Sequence, residues 1–500
     1  MSISTNTLRK QLKNSLKDWI LDSTSHGFPK IFKTERISLK IMWSIGLCVS
    51  IGLCSYLISR SIMDYAAFDV TTTIRYKTEI PLELPAISIC QNSMFTTEES
   101  DDFRKLILKN NGIDNVLESE FLSTYFKSKY QETLNLFVSD YFSKLNALNY
   151  NLTNEIRKTL GFNLDDFMIS CLVGLTDCRK EDFVWYFDVN FGNCYMFNTG
   201  KLENGTLIDK YNQSDYGYGI KFEFINLIKP VEENIINKGF RLTLFDPKKR
   251  VNSLLGFDLS PKFLTNIMIK KKMVTKLPQP YSKCLKDHSS FESSEVYKAV
   301  LKISDTYSQD TCIGMCFQEY LISECNCSDP SRLFFKNVRN CLTLVEIFCE
   351  YKAYQVFSKE LNEKEMCSKH CPLECEITEY DFTSSFSEYP SKIQAKAISK
   401  LLSRKNSSYN YTIEEINNNS LLVHIYYSQL KYETIEETRK MELVDLISNI
   451  GGILGLFIGI SILSFAELIE LCIEILFVVF TKRNKVKRID VKMQFDQNKV

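Results

Sequence analysis

Apolar positions in this chain gather into two long stretches near its ends, and the interval between them is polar, charged and rich in cysteine. The first stretch, Ile41 to Ile58, holds no charged side chain and is flanked by Lys40 and Arg60. A helix needs roughly 20 apolar residues to cross a bilayer core, so a transmembrane helix is expected over 41–63. A cleaved signal peptide is the alternative, but the stretch follows forty mostly polar residues and precedes no small-residue cleavage site. The second stretch, Leu443 to Phe480, is 38 residues long, with charges only at Asp445, Glu467, Glu470 and Glu474. One straight helix of that length overshoots a bilayer, so the span expected over 443–480 needs a tilt or a break.

The interval 64–442 reads as a mixed α+β domain, long enough for a packed core. Alternation at Ile220-Lys221-Phe222-Glu223-Phe224 and at Phe240-Arg241-Leu242-Thr243-Leu244 predicts half-buried strands. Leu, Phe and Tyr at three- and four-residue intervals over Leu117 to Leu148 predict peripheral amphipathic helices. There are no repeats and no low-complexity linker.

Charge enters through the flanks. Lys plus Arg equals Asp plus Glu at 61 each, which gives no electrostatic reason to expect nucleic acid as a partner. Locally, residues 1–40 carry eight Lys or Arg and residues 481–500 carry seven, so both flanking segments are expected to be cytoplasmic. The sequons headed by Asn151, Asn204, Asn212, Asn326, Asn406, Asn410 and Asn418 all lie between the two stretches, as glycosylation of an extracellular loop requires. Of 17 cysteines, 14 lie between residues 90 and 375, an even number that permits seven bridges in an oxidising compartment. The spacings Cys312-x3-Cys316, Cys325-x-Cys327 and Cys367-x3-Cys371-x3-Cys375 also resemble metal-ligand spacings, but four histidines and an extracellular setting speak against zinc. Cys48, Cys54 and Cys472 fall in the apolar stretches and are expected to be buried free thiols.

No nucleophile elbow, phosphate-cradling glycine loop or HExxH occurs, so an enzyme is not expected, nor a cofactor or metal. The chemistry sits in the second apolar stretch. Gly451, Gly455 and Gly459 recur every four residues and form one bare stripe on a helix. Helical steps carry that stripe through Leu463 to Glu467, Glu470 and Glu474. Glycine at this spacing alone is more often a packing motif. Carboxylates on the same face are expensive against lipid, and a wet cation pathway accounts for both features.

These residues resemble the epithelial sodium channel, degenerin and acid-sensing channel family along nearly the whole chain. Leu84-Pro85-Ala86-Ile87-Ser88-Ile89-Cys90 is similar to the family strand after the first span. Gly192-Asn193-Cys194-Tyr195-Met196-Phe197-Asn198 is similar to a second signature, and Tyr307-Ser308 with Cys312 and Cys316 to the start of a Cys-rich thumb. Ile450-Gly451-Gly452 through Gly459-Ile460-Ser461 resembles the pore segment that ends in a G-x-S selectivity filter. The resemblance implies a trimer with a palm, finger and thumb arrangement at the plasma membrane, and a broken helix at Gly459, Ile460 and Ser461. It implies sodium selectivity, block by amiloride-like compounds, and pore-lining roles for Ser448, Gly451, Gly452 and Gly455. His26-Gly27 looks like its cytoplasmic gating motif, and Phe68 with Tyr281 like its aromatic wrist. It also implies the pairs Cys90–Cys194, Cys171–Cys178, Cys284–Cys375, Cys312–Cys371, Cys316–Cys367, Cys325–Cys349 and Cys327–Cys341, each worth about 2 to 4 kcal/mol.

The gating residues depart from the acid-sensing relatives. Counting back from Cys90 puts Asp69 where they carry a histidine and Arg75 at one of two palm carboxyls, the other being Glu433. An arginine beside a carboxylate holds it ionised, so this pair is not expected to sense acid. The leading expectation is a channel opened through its extracellular part by a ligand such as a neuropeptide, ahead of proton, constitutive or mechanical opening. An ATP-gated channel lacks this pore sequence, and a non-conducting two-span scavenger or adhesion receptor is the reading from another class.

Overall fold

The computed structural model describes residues 27–110, 153–226, 238–286, 295–303, 306–329, 338–359, 369–405 and 411–461, with shorter pieces within 13–23, at 332 and 367, and within 463–476. The chain divides into two compact units, residues 1–71 with 438–500, and residues 72–437.

In the smaller unit the helix Ile37–Ala66 is the one helix, among the described residues, long and apolar enough to cross a membrane. It extends the expected 41–63 at both ends. The helix Leu443–Phe457 packs against it. Cys54 is buried, whereas Cys48 and Cys472 are exposed, which corrects the expectation for those two. A single chain has too few helices to enclose an apolar helix on every side. A short helix, Phe28–Lys33, precedes the long one. Its cap, Gly27, has φ +83° and stands against Trp43 and Leu47.

The larger unit holds an eight-stranded and a five-stranded sheet. The order in the first is Val70–Thr78, Lys431–Arg439, Phe263–Thr275, Ser420–Tyr427, Ile220–Ile225, Met168–Val173 and Thr176–Asp177, with Glu376–Glu388 also on Phe263–Thr275. The second runs Phe257–Leu259, Phe240–Phe245, Ala86–Gln91, Gly192–Phe197 and Phe183–Asp188. Both sheets send rings into one core: Phe167, Phe183, Phe197, Phe222, Phe224 and Phe240, with centroids 4.9 Å apart between Phe224 and Phe240 and 4.8 Å between Phe183 and Phe197. Tilted aromatic pairs at such distances add to the burial of area itself.

Strand alternation explains one face of Ile220–Ile225 but not the other. Glu223, expected to face solvent, is only 7% exposed, where it accepts hydrogen bonds from Tyr389 and from Ser170 at 2.9 Å. The helices Lys392–Lys405 and Ile413–Asn419 share a small core with Ile225 and Tyr389, so the strand is covered on both sides.

A second core joins the helices Glu295–Ile303, Gln309–Cys325 and Leu344–Lys359. Cys312 and Cys316, one helical turn apart, share a face and bond to Cys371 and Cys367 in reverse order. Cys325–Cys349 and Cys327–Cys341 follow, Cys284–Cys375 closes the base, and Cys90–Cys194 and Cys171–Cys178 lie in the sheets. These are the seven partners the resemblance implies, and they leave none of the 14 cysteines for a metal. The expected helices over 117–148 lie outside the described residues.

The strand Phe263–Thr275 carries two collinear neighbours on one edge. Residues 264–269 pair in parallel with 422–427, and 272–275 with 433–436. The offset grows by three residues, absorbed at Ser428-Gln429-Leu430, a bulge whose Leu430 is buried.

Candidate pore segment

Leu443–Phe457 begins with a reciprocal cap in which Asp445 accepts the Glu442 N–H at 2.9 Å. Fifteen residues reach about 22 Å, short of the ~30 Å bilayer core. The helix ends just before the G-x-S triplet Gly459-Ile460-Ser461. Gly459 has φ +77°, in the left-handed region that costs other residues roughly 1–2 kcal/mol. Its N–H bonds back to the carbonyls of Leu454 and Gly455, both at 3.1 Å, and Ile460 N–H reaches Leu454 at 3.4 Å.

The chain then restarts. Ser461 N–H donates to Ser464 Oγ at 3.1 Å, Ser464 N–H returns to the Ser461 carbonyl at 3.0 Å, and residues 466–473 are helical. Consequently the carbonyls of Leu456, Phe457, Ile458, Gly459 and Ile460 accept no hydrogen bond among the described residues. Five consecutive unspent carbonyls can replace the water shell of a small cation, and apolar side chains cannot.

Ser448, Gly452, Gly455 and Gly459 follow helical spacing, with Gly451 beside them. A Cβ at Gly451 or Gly452 meets nothing within 4 Å, and one at Gly455 stands 3.9 Å from the Ile460 carbonyl oxygen. Gly455 therefore sets bare backbone beside the break. The acidic residues need a correction: the break interrupts the helical phase, so counting from Gly459 to Glu467 and Glu470 does not place them on the glycine stripe. Glu467 is half-buried and Glu470 exposed on 466–473, while Glu474 lies outside the described residues. Trp19 Nε1 donates to the Glu467 carbonyl at 3.3 Å, a contact with no signal in the sequence.

The gating residues are placed as follows. His26 lies outside the described residues. Phe68, half-buried with φ +51°, tilts over Tyr65 at 6.3 Å between centroids. Tyr281 is half-buried in the larger unit, its N–H on the Pro278 carbonyl at 3.1 Å. Asp69 pairs with Lys440 at 2.9 Å, and the hydrogen bond and charge of Asp69 push the lysine up from its ordinary pKa. Lys440 was not singled out from sequence, although it flanks the second apolar stretch as Asp69 flanks the first.

Arg75 and Glu433 are not neighbours, contrary to expectation. Glu79 N–H bonds to the Leu430 carbonyl and Thr434 Oγ1 to the Arg75 carbonyl, so Arg75 stands across from Thr434 and Glu433 takes the other face of the ladder. The cation across from Glu433 is Lys272, which is bonded to Asp381 at 2.5 Å. Hydrogen bonding to Asp381 raises the Lys272 pKa, with a lesser contribution from Glu433. Among the sequons, Asn204, Asn212, Asn326 and Asn418 are exposed, and Asn151, Asn406 and Asn410 lie outside the described residues.

Comparison with known proteins gives this chain relatives among ion channels. The chain is 25% identical over 493 residues to "Acid-sensing ion channel 1" of Gallus gallus, covering 95% of this chain and 86% of the relative. It is 27% identical over 496 residues to "Acid-sensing ion channel 4-B" of Danio rerio, covering 96% and 79%. It is also 27% identical over 363 residues to "Epithelial sodium channel subunit alpha" of Homo sapiens, covering 68% and 49%. The family described as "Amiloride-sensitive sodium channel" matches residues 20–471, and the chain therefore belongs to this family of ion channels, which are not enzymes.

Proposed function

We propose that the chain is a subunit of an amiloride-sensitive-type, sodium-selective channel of the plasma membrane. It crosses twice, at 41–63 and 443–480, with 1–40 and 481–500 cytoplasmic and 64–442 outside. Three chains, identical or related, surround one axis. Gly459, Ile460 and Ser461 form the filter, Ser448, Gly451, Gly452 and Gly455 line the path above it, and Glu467, Glu470 and Glu474 attract cations below. The observation that carries this reading is the left-handed break at Gly459, with five carbonyls that accept no hydrogen bond among the described residues.

Opening is driven through the outer segment by a ligand, with a neuropeptide as the leading class. The support is that Asp69 is tied to Lys440 and that Arg75 and Glu433 form no shared-proton pair. Expression of this chain alone in oocytes, with neuropeptides, pH steps and membrane stretch applied in turn, tests the reading. A peptide-evoked, amiloride-blocked sodium current supports it. A large transient current on acidification replaces the ligand with protons, and no current under any stimulus favours a receptor.

A further inference from the structure

The helix Lys392–Lys405 meets the protein through Ala395 and Ile398, both buried, and half-buried Leu402. Lys392, Lys396, Lys400 and Arg404 recur every four residues and fall away from that buried side. All four are exposed. Neighbours along the stripe are about 6 Å apart, and the stripe runs roughly 18 Å. No acidic residue occurs within 392–405, and none of the four side chains makes an ion pair or hydrogen bond among the described residues.

Helix stability does not account for this pattern. Like charges four residues apart repel, and Lys392 sits at the end of the helix where the macrodipole favours an anion. A face needed only for solubility mixes both signs. Here four bases stand with no acid on their own helix, so their charge awaits a partner from outside.

We propose that this helix docks a sulfated glycosaminoglycan of the cell surface or matrix. A linear stripe of lysine and arginine matches a linear polyanion, and clusters of this kind form heparin-type patches. The inference rests on the topology proposed above, which puts 64–442 outside the cell, away from nucleic acid and from the anionic inner leaflet.

The test is retention of the full chain in detergent on immobilised heparin. The variant K396Q/K400Q is compared with K298Q/K302Q, which removes two exposed lysines, also four apart, from Glu295–Ile303. K396Q/K400Q is expected to bind at least tenfold more weakly at fixed salt, with a shallower dependence of affinity on salt, because fewer counterions are released. K298Q/K302Q is expected to match the unmodified chain. The charge-keeping K396R/K400R retains binding, which separates lost charge from lost folding. The proposal is overturned if both glutamine variants elute with the unmodified chain, or if desulfated heparin competes as well as heparin. A chain that conducts but ignores heparin defeats the docking site alone; one that binds through the stripe without conducting defeats the channel reading alone.

Discussion

Replacing Gly459 by alanine tests the break in the second apolar stretch by itself. At φ +77° a Cβ costs roughly 1–2 kcal/mol, and alanine favours a helix over glycine by about 0.8–1 kcal/mol. Both effects act in the same direction, so the balance moves by about 2–3 kcal/mol toward a continuous helix. That is on the order of a 30- to 150-fold change in the ratio of broken to unbroken segment, since each 1.4 kcal/mol is tenfold. An unbroken helix spends the carbonyls of Leu456 to Ile460 on its own N–H groups and withdraws them from ions. Sodium over potassium permeability, read from reversal potentials, and unitary conductance are both expected to fall. Gly46→Ala is the control, because Gly46 lies inside the helix Ile37–Ala66 and its Cβ meets nothing within 4 Å. The reasoning is refuted if G459A and G46A show the same selectivity and conductance as the unmodified channel.

Ser448→Trp is expected to hold the channel open, measured as an amiloride-sensitive current without stimulus; a silent, normally expressed channel argues against Ser448 facing the path. Glu467→Gln and Glu470→Gln each lower inward sodium conductance, most at low ionic strength, where attraction by carboxylates is least screened. Glu346 caps the helix Leu344–Lys359: burial raises its pKa, but Arg339 and the N–H groups of Leu342 and Thr343 outweigh that and hold it at about 2. A depressed carboxylate contributes stability that is present above its unfolded value and lost as pH falls through the folded one. The cap therefore persists at pH 4 and fails toward pH 2, and Glu346→Ala costs about 1 kcal/mol at neutral pH, read as lower resistance to denaturant. Lys440→Gln leaves Asp69 unpaired at the surface and shifts gating with little change in folding, read as altered activation at unchanged surface expression.

The break in the second apolar stretch was legible in two parts: its excess length called for a tilt or a break, and the resemblance to a G-x-S segment put the break at Gly459. The disulfide partners followed from cysteine order through the resemblance alone; the spacing of Cys312 and Cys316 puts both on one helix face but does not name their partners. That Arg75 and Glu433 take opposite faces was not legible, because facing depends on the register between two strands more than 350 residues apart in the sequence. Glu223 looked solvent-facing because alternation reports one covered side and says nothing of helices that later cover the other. The side that Glu467 and Glu470 take was not legible for a related reason: a helical count holds only while the helix does.

The most direct test of the central claim is Ser461→Cys in the expressed channel, with silver ions applied from outside during conduction. The filter reading predicts rapid, irreversible block of the mutant, slowed by amiloride, while the unmodified channel with Cys48, Cys54 and Cys472 is spared. A sodium current that persists in the mutant under silver would contradict it.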